Sequence, residues 1–174
     1  MNAEMSEKKK VEDREGLRKI KALIEDFKMV MMASNMGKIP FSVSPMTLLK
    51  MEDTGELWFF TSKNSGLYRD IGEDPRVQVL YCDQKKQRYL SIYGHAAPVD
   101  AVGKKAELWN CGLLKWFEGK DDPNLVLLGI SQIEAFYWDN ENNEPVSLFK
   151  KIQEAISASA PVTDSKGNTK LWNH

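Results

Sequence analysis

The sequence of 174 residues contains only two cysteines and two histidines. Cys82 and Cys111 are too few and too isolated to predict a disulfide framework or a thiolate metal site. Two histidines do not predict a histidine-based metal site either. We therefore expect no bound metal, and a reduced, cytoplasmic protein.

The charge balance and the hydrophobic runs exclude further classes of protein. The formal net charge is −1, so no overall field attracts nucleic acid or an anionic membrane. No apolar run approaches the roughly 20 residues of a membrane-spanning helix. The N-terminal stretch MNAEMSEKKKVEDREG lacks the apolar centre of a secretory signal. We expect neither a nucleic-acid partner nor a membrane partner.

The motifs of common hydrolases and nucleotide-binding enzymes are also missing. No serine lies in a nucleophile-elbow pattern, and neither a P-loop nor a dinucleotide-binding glycine fingerprint is present. Asp121 and Asp122 lie between Gly119 and Pro123, a composition more typical of a solvated turn than of an acid–base pair. The sequence therefore identifies no catalytic residue.

The apolar residues form short segments whose spacing predicts the secondary structure. Helical spacing predicts helices over residues 12–27, 66–73, 100–118 and 146–157. Alternating, β-branched and aromatic segments predict strands at 29–34, 40–51, 56–61, 77–82, 88–99, 125–133 and 134–138. About six short strands, mostly joined by hairpins, favour an antiparallel barrel over a parallel sheet.

Composition divides the chain into three parts. Residues 1–11 are polar and charged and predict a mobile N-terminal tail. Residues 12–157 predict a single domain, which is long enough to bury a substantial core. Residues 158–174 predict a polar C-terminal extension.

The segment FFTSKNSGLYRDI, residues 59–71, joins a predicted strand to a predicted helix through small hydroxyl residues. Backbone N–H groups and hydroxyls that converge at a helix N-terminus bind phosphate in many proteins. The segment contains two cations, Lys63 and Arg69, which either serve an anion or lie solvated on the surface. It is therefore a candidate anion-binding turn.

Two further features are compatible with a planar ligand. Trp116, Phe117, Tyr137 and Trp138 fall near predicted loops or strand ends, where they either stack on a ligand or pack in a core or subunit interface. Pro45 interrupts a predicted strand, which requires a strand edge or a bulge. Such a break leaves backbone N–H and C=O groups available to the polar edge of a heterocycle.

Several short motifs follow one another in a specific order over residues 12–140. They are SPM at 44–46, LWFFT at 57–61, DPRV at 74–77, YLSIYG at 89–94, ELWN at 107–110, KWF at 115–117, GKDDP at 119–123 and YWD at 137–139. This ordered set resembles the pyridoxamine 5'-phosphate oxidase-like superfamily, in particular its general stress proteins. The resemblance implies the FMN-binding split-barrel fold, which is mainly β with peripheral helices and has a six-stranded antiparallel barrel of Greek-key type.

The resemblance also implies a homodimer with FMN in each of two clefts at the interface. The strand break at 44–46 would border the isoalloxazine ring, residues 60–62 would flank the ring and ribityl chain, and the turn around Ser65 would hold the phosphate. Aromatic residues near Trp116 would approach from the partner chain. The candidate cofactor-binding residues are Ser44, Pro45, Met46, Phe60, Thr61, Ser62, Lys63, Ser65, Gly66, Leu67, Lys115 and Trp116.

Two positions depart from the usual pattern of that family. Ser44 stands where an arginine commonly precedes Pro-Met, and Leu67 stands where a lysine commonly follows the serine of the phosphate loop. A hydrogen bond to a charged group is worth roughly 1.5–3 kcal/mol, so two lost cations weaken FMN binding by about two to four orders of magnitude. Lys63 and Arg69 are the residues available to compensate.

The resemblance favours a small FMN-dependent oxidoreductase of unknown substrate. Pyridoxamine phosphate itself is a poor candidate substrate, because no second cationic phosphate site is identifiable. In the alternative, the chain is a non-enzymatic module for binding or sensing, with weak, altered or lost flavin binding; Ser44 and Leu67 favour this alternative. A purely structural interaction protein is the third possibility.

Overall fold

The structure, a computed structural model, describes residues 2–25, 29–139 and 142–150. Its helices are α1 (Asn2–Ile24), α2 (Gly66–Glu73) and α3 (Val102–Leu108), with a short 3₁₀ helix at Cys111–Lys115. The strands are β1 (Met29–Ser34), β2 (Ser42–Met51), β3 (Leu57–Ser62), β4 (Arg76–Asp83), β5 (Arg88–Val99), β6 (Leu125–Asp139) and β7 (Asn142–Lys150). None of the helices in these ranges combines the length and the apolarity needed to cross a bilayer.

Six of the strands form a closed antiparallel barrel. They follow the order β3-β2-β1-β4-β5-β6, and the ring closes where β3 pairs with β6, from Leu57–Ile130 to Ser62–Leu125. Strand β7 pairs with the C-terminal half of β6, outside the ring. The predicted six-stranded split barrel is confirmed, and the structure adds a seventh strand.

Alternate residues of the strands fill the barrel interior. In β4, Val77, Val79 and Tyr81 are buried, whereas the residues between them are half-buried or exposed. This period of two is what a strand with one face on the core and one face outward requires. The outward face of β4 thus remains available to other surfaces.

Strand β3 differs because both of its faces are buried. Phe59 packs in the barrel core, whereas Phe60 packs on the outside against Leu108 and Leu113. These two leucines belong to the segment between β5 and β6, which folds back over β3. The segment forms a second, smaller hydrophobic cluster outside the barrel.

Helix α1 packs against β7. Ile20, Leu23 and Ile24 are buried at the helical spacing that predicted this helix. Gly16 approaches the backbone carbonyl of Leu148 so closely that a Cβ atom there would overlap the oxygen. A glycine at position 16 therefore sets how near the helix lies to the strand.

Several predicted elements differ from the structure. Helix α1 begins at Asn2, so residues 2–11, predicted as a tail, continue the helix. Residues 146–150, predicted as the start of a helix, form the end of β7, because their backbone pairs with β6. The two strands predicted at 125–133 and 134–138 are the single strand β6. The helix predicted over 100–118 is divided into α3 and the 3₁₀ helix.

Other predictions agree with the structure. The bounds of α2 and β5 match the predicted ranges 66–73 and 88–99. The predicted hairpin at 53–55 is present, with Gly55 at a φ of +99°, a conformation that glycine adopts without strain. Residues 151–157 of the predicted helix and the extension predicted at 158–174 lie outside the described residues.

Candidate functional site

A cleft of about 370 Å³ lies on the outside of the barrel, where β1, β2 and β3 meet the 3₁₀ helix. Every described residue that lines this cleft is uncharged. The lining residues are Met29, Pro45, Met46, Thr47, Leu49, Phe60, Thr61, Ser62, Leu113, Trp116 and Phe117. We call it the aromatic cleft, after Phe60, Trp116 and Phe117.

The aromatic wall of the cleft is built by the segment between β5 and β6. Leu113 is buried against Phe60, and Phe117 packs against the same cluster. The backbone N–H of Trp116 donates to the carbonyl of Leu113 at 3.0 Å, which positions the tryptophan after the 3₁₀ helix. The Trp116 side chain is 65% exposed. Its ring is therefore available for stacking on a planar ligand.

The opposite wall comes from β1 and β2. Met29 lies opposite Thr47, and Met31 lies opposite Pro45, so these residues share one face of the strand pair. Strand β2 pairs with β3 only from Leu48 onward. Residues 42–47 therefore have a ladder partner on one side alone, which is the edge position that a proline requires. Strand β2 is continuous through Pro45, which occupies the edge position expected of a proline in a strand, and the backbone polar groups of residues 42–47 on the side away from β1 have no strand partner.

Hydroxyl groups at the end of β3 form the polar end of the aromatic cleft. Ser65 is the N-cap of α2: its Oγ accepts from the N–H of Tyr68 at 3.0 Å and lies 2.9 Å from Thr61 Oγ1. Ser62 Oγ accepts from the N–H of Asn64 at 3.2 Å. One O–H of the Thr61–Ser65 pair and the O–H of Ser62 are not used in these bonds. Each is a neutral donor that a ligand can engage.

Helix α2 is fixed to the barrel by Asp70. The Asp70 carboxylate accepts hydrogen bonds from Ser34 Oγ at 2.9 Å and from Asn35 Nδ2 at 3.3 Å. Burial raises the pKa of Asp70, but hydrogen bonds from Ser42, Ser34 and Asn35 together outweigh it and lower the pKa. The carboxylate is thus ionised at neutral pH and anchors the helix that begins after Ser65.

The two cations of the candidate anion-binding turn do not line the aromatic cleft. Lys63 lines a second cleft, of about 510 Å³, together with Tyr68, Lys105 and several aspartates. Arg69 is exposed on α2. Leu67 is 3% exposed and packs in the barrel core. Its side chain therefore lines neither of the two clefts. The predicted phosphate end therefore has hydroxyls, but no cation from the described residues at the cleft wall.

The structure brings together half of the predicted site residues. Those that line the aromatic cleft are Pro45, Met46, Phe60, Thr61, Ser62 and Trp116. Ser44 lies opposite the fully buried Met32, on the inward face of β2. Ser65 does not line the cleft, but its Oγ lies 2.9 Å from the Oγ1 of Thr61, which does. Lys63, Gly66, Leu67 and Lys115 are not part of its wall.

Trp116 lines the cleft of its own chain. The reason is the packing of Leu113 on Phe60, which holds the 3₁₀ helix over β3. The predicted approach of aromatic residues near Trp116 from a partner chain stays a prediction. Tyr137, another candidate for ligand stacking, is buried in the barrel core.

Sequence reasoning missed four residues of the cleft wall. They are Met29, Thr47, Leu49 and Leu113. Met29 and Thr47 are neighbours only through the β1–β2 register, which the sequence does not specify until the turn between the strands is known. An exposed methionine at the start of an apolar strand was the available signal.

Comparison with known proteins agrees with this fold. The family described as "Pyridoxamine 5'-phosphate oxidase like" matches residues 15–173. General stress protein 26 of Bacillus subtilis (strain 168) is 33% identical over 91 residues, which make up 51% of this chain and 65% of that protein. The chain therefore aligns with a little less than two thirds of the length of this relative.

Solved structures give the same result. The general stress FMN/FAD binding protein from the phytopathogen Xanthomonas citri is 30% identical, with a TM-score of 0.62 over 75% of this chain and 92% of that one. A protein related to general stress protein 26, from Clostridium acetobutylicum, has a TM-score of 0.66 at 20% identity, covering 78% of this chain and 96% of that one. The second likeness supports the fold alone. Because the family match extends over most of its length, the chain belongs to the pyridoxamine 5'-phosphate oxidase-like family.

Proposed function

We propose that this protein is a homodimeric, FMN-binding oxidoreductase whose cofactor lies in the aromatic cleft. The observation that carries the proposal is the composition of the cleft, which combines an exposed aromatic wall, a one-sided stretch of β2 and unused hydroxyls. A flavin has the matching parts: an apolar ring system with a polar edge, and a polyhydroxylated chain. A relative with 30% identity is described as binding FMN or FAD.

In this proposal the residues of the cleft have distinct roles. Pro45 and Met46 contact one side of the isoalloxazine ring, and Trp116 covers it on the solvent side. Thr61 and Ser62 donate hydrogen bonds to the ribityl chain. When bound, FMN supplies hydride or electron transfer, which no side chain provides. The protein orients the ring and keeps water from it.

The proposed dimer uses the outward face of β1, β2 and β4. Four apolar residues on this face have exposed fractions of 43% to 59%: Met29, Met31, Val43 and Leu80. Register places Met31 beside both Pro45 and Leu80, so these apolar side chains form one continuous patch. Such patches commonly mark protein interfaces. Met29 also lines the aromatic cleft, so a second chain on this face would complete the cleft.

Flavin binding is tested by titrating the purified protein with FMN and following flavin fluorescence. We expect saturable binding of one FMN per chain. Trp116→Ala removes the exposed ring and should weaken binding about 3–10-fold, the equivalent of one aromatic pair. Leu114→Ala is the matched control, because Leu114 is 56% exposed on the 3₁₀ helix just before Trp116 but does not line the cleft. No binding by the unmodified protein would refute the proposal.

The dimer is tested by light scattering on the eluate of a sizing column. Met31→Glu places a charge in the centre of the apolar patch and should shift the protein to a monomer. Val102→Glu is the control, since Val102 is 77% exposed on α3, away from this face. A monomeric unmodified protein, or a Met31→Glu variant that remains dimeric, would contradict the proposed interface.

A non-enzymatic binding or sensing function is the second candidate. It is favoured by the absence of any charged or titratable side chain from the described wall of the aromatic cleft, so no residue there transfers a proton. Stoichiometric flavin binding without flavin reduction by nicotinamide donors would support this candidate over the oxidoreductase. Cys82 and Cys111 are free and exposed, which supports a cytoplasmic location for either function.

A further inference from the structure

Within one chain, the described residues of the aromatic cleft offer contacts for the ring and ribityl chain of a flavin but no cation for its phosphate. All described residues of its wall are uncharged. Resting on the proposed flavin-binding function, we infer that this cleft does not select for the phosphate group. Riboflavin then binds within about tenfold of FMN, and the cleft recognises flavins by the part of the molecule that they share.

Neither cation of the candidate anion-binding turn lines this cleft. Lys63 is exposed and lines the second cleft. Arg69 is exposed one turn further along α2. Leu67 occupies a core position, where it packs within the same cluster as Ile71. The turn therefore has the N-cap of a candidate anion site, but neither of its cations lines the aromatic cleft.

The hydroxyl groups at the cleft do not distinguish FMN from riboflavin. Thr61, Ser62 and Ser65 already bond to one another or to the backbone of the turn. Their remaining O–H groups are neutral donors, which serve a ribityl hydroxyl as well as a phosphate oxygen. Charged donors are roughly twice as strong toward an anion, and no described residue of the cleft wall supplies one.

Gly66 is the place where the missing charge can be restored. It is the first residue of α2, next to Ser65, and a Cβ atom built on it meets no other atom within 4 Å. A lysine at this position is therefore accommodated without repacking. Gly72 provides a matched control, because a Cβ atom there also meets no other atom within 4 Å. It lies near the C-terminal end of the same helix, away from Ser65.

The experiment measures the dissociation constants of FMN and riboflavin for the unmodified protein, Gly66→Lys and Gly72→Lys, by quenching of flavin fluorescence. For the unmodified protein we expect constants within tenfold of each other and an FMN affinity that changes little between low and high salt. For Gly66→Lys we expect FMN to bind at least tenfold more tightly, with this gain lost at high salt, while riboflavin is unaffected. Gly72→Lys should change neither constant by more than twofold.

The outcomes separate this inference from the function on which it rests. FMN binding more than tenfold tighter than riboflavin to the unmodified protein would overturn the inference and leave flavin binding intact. A folded Gly66→Lys variant with unchanged FMN affinity would overturn the placement of the flavin tail beside α2. Failure of both flavins to bind would remove the proposed function, and the inference with it.

Discussion

Replacing Leu67 by lysine distinguishes a core position from a cofactor-facing one. The resemblance described above implies a lysine at this position, so the sequence alone suggests that the substitution would restore a cation to the phosphate site. The structure instead places Leu67 in the barrel core at 3% exposure. We therefore expect Leu67→Lys to destabilise the fold without improving FMN binding.

The size of the effect follows from burial. A buried leucine side chain contributes about 1.5–3 kcal/mol relative to an exposed one, and this is lost in the variant. The lysine amine adds a desolvation cost unless its chain extends to water. We expect a total of about 3–4 kcal/mol. For a domain of this size, each kcal/mol lowers Tm by about 2–4 °C, so Tm should fall by roughly 6–16 °C.

Urea unfolding followed by circular dichroism measures this difference. Leu67→Met is the control, because it conserves volume and should cost less than about 1.5 kcal/mol. FMN titration of both variants supplies the second measurement. A lysine variant that is as stable as the methionine variant and binds FMN more tightly would show that position 67 faces the cofactor, and the reasoning from burial would be wrong.

Three further predictions concern the scaffold. Gly16→Ala should cost at least about 2 kcal/mol in urea unfolding, because the new methyl overlaps the carbonyl of Leu148; unchanged stability would mean that α1 lies further from β7. Ser65→Ala removes the N-cap of α2 and should cost about 1 kcal/mol in thermal unfolding, whereas no loss would show that the cap is dispensable. Side-chain hydrogen bonds from Arg76 lower the pKa of Asp74 from 3.8 to about 2, so the ionised carboxylate stabilises the fold above pH 4 and this stabilisation is lost toward pH 2. Because this pair is partly exposed, we expect Asp74→Asn to cost about 1 kcal/mol at pH 6, with the cost shrinking as the pH falls; a cost that does not depend on pH would argue against the ion pair.

Helix α2 shows why some elements were predictable from the sequence. Ser65 directly before the helix is a favoured N-cap, and Pro75 disfavours helical backbone in the residue before it. Both signals are local, so the predicted and observed bounds agree. The segment at 146–150 has no comparable signal, and its conformation is set by pairing with β6. A helix was predicted there because spacing alone does not report a partner strand.

The sequence predicted which segments come together at the candidate site, but not which way their side chains point. The motifs around Pro45 and Phe60 come from strands that are adjacent in the barrel, so their proximity followed from the fold. The orientation of Leu67 did not, because it depends on how α2 is rotated against the barrel. Leu67 and Ile71 form an i, i+4 apolar pair, and this pair was the signal that the helix turns that face inward.

The closure of the barrel has a consequence for how the chain acquires its structure during synthesis. Strands β3 and β6 pair residues that are about 70 positions apart, so the ring stays open until β6 has left the ribosome. Before that moment, Phe60 has neither Leu125 nor Leu127 to pack against, and the outer edge of β3 is free to pair with another chain. Nascent chains that stop between β5 and β6 should therefore aggregate, whereas chains released after β6 should close and remain dispersed.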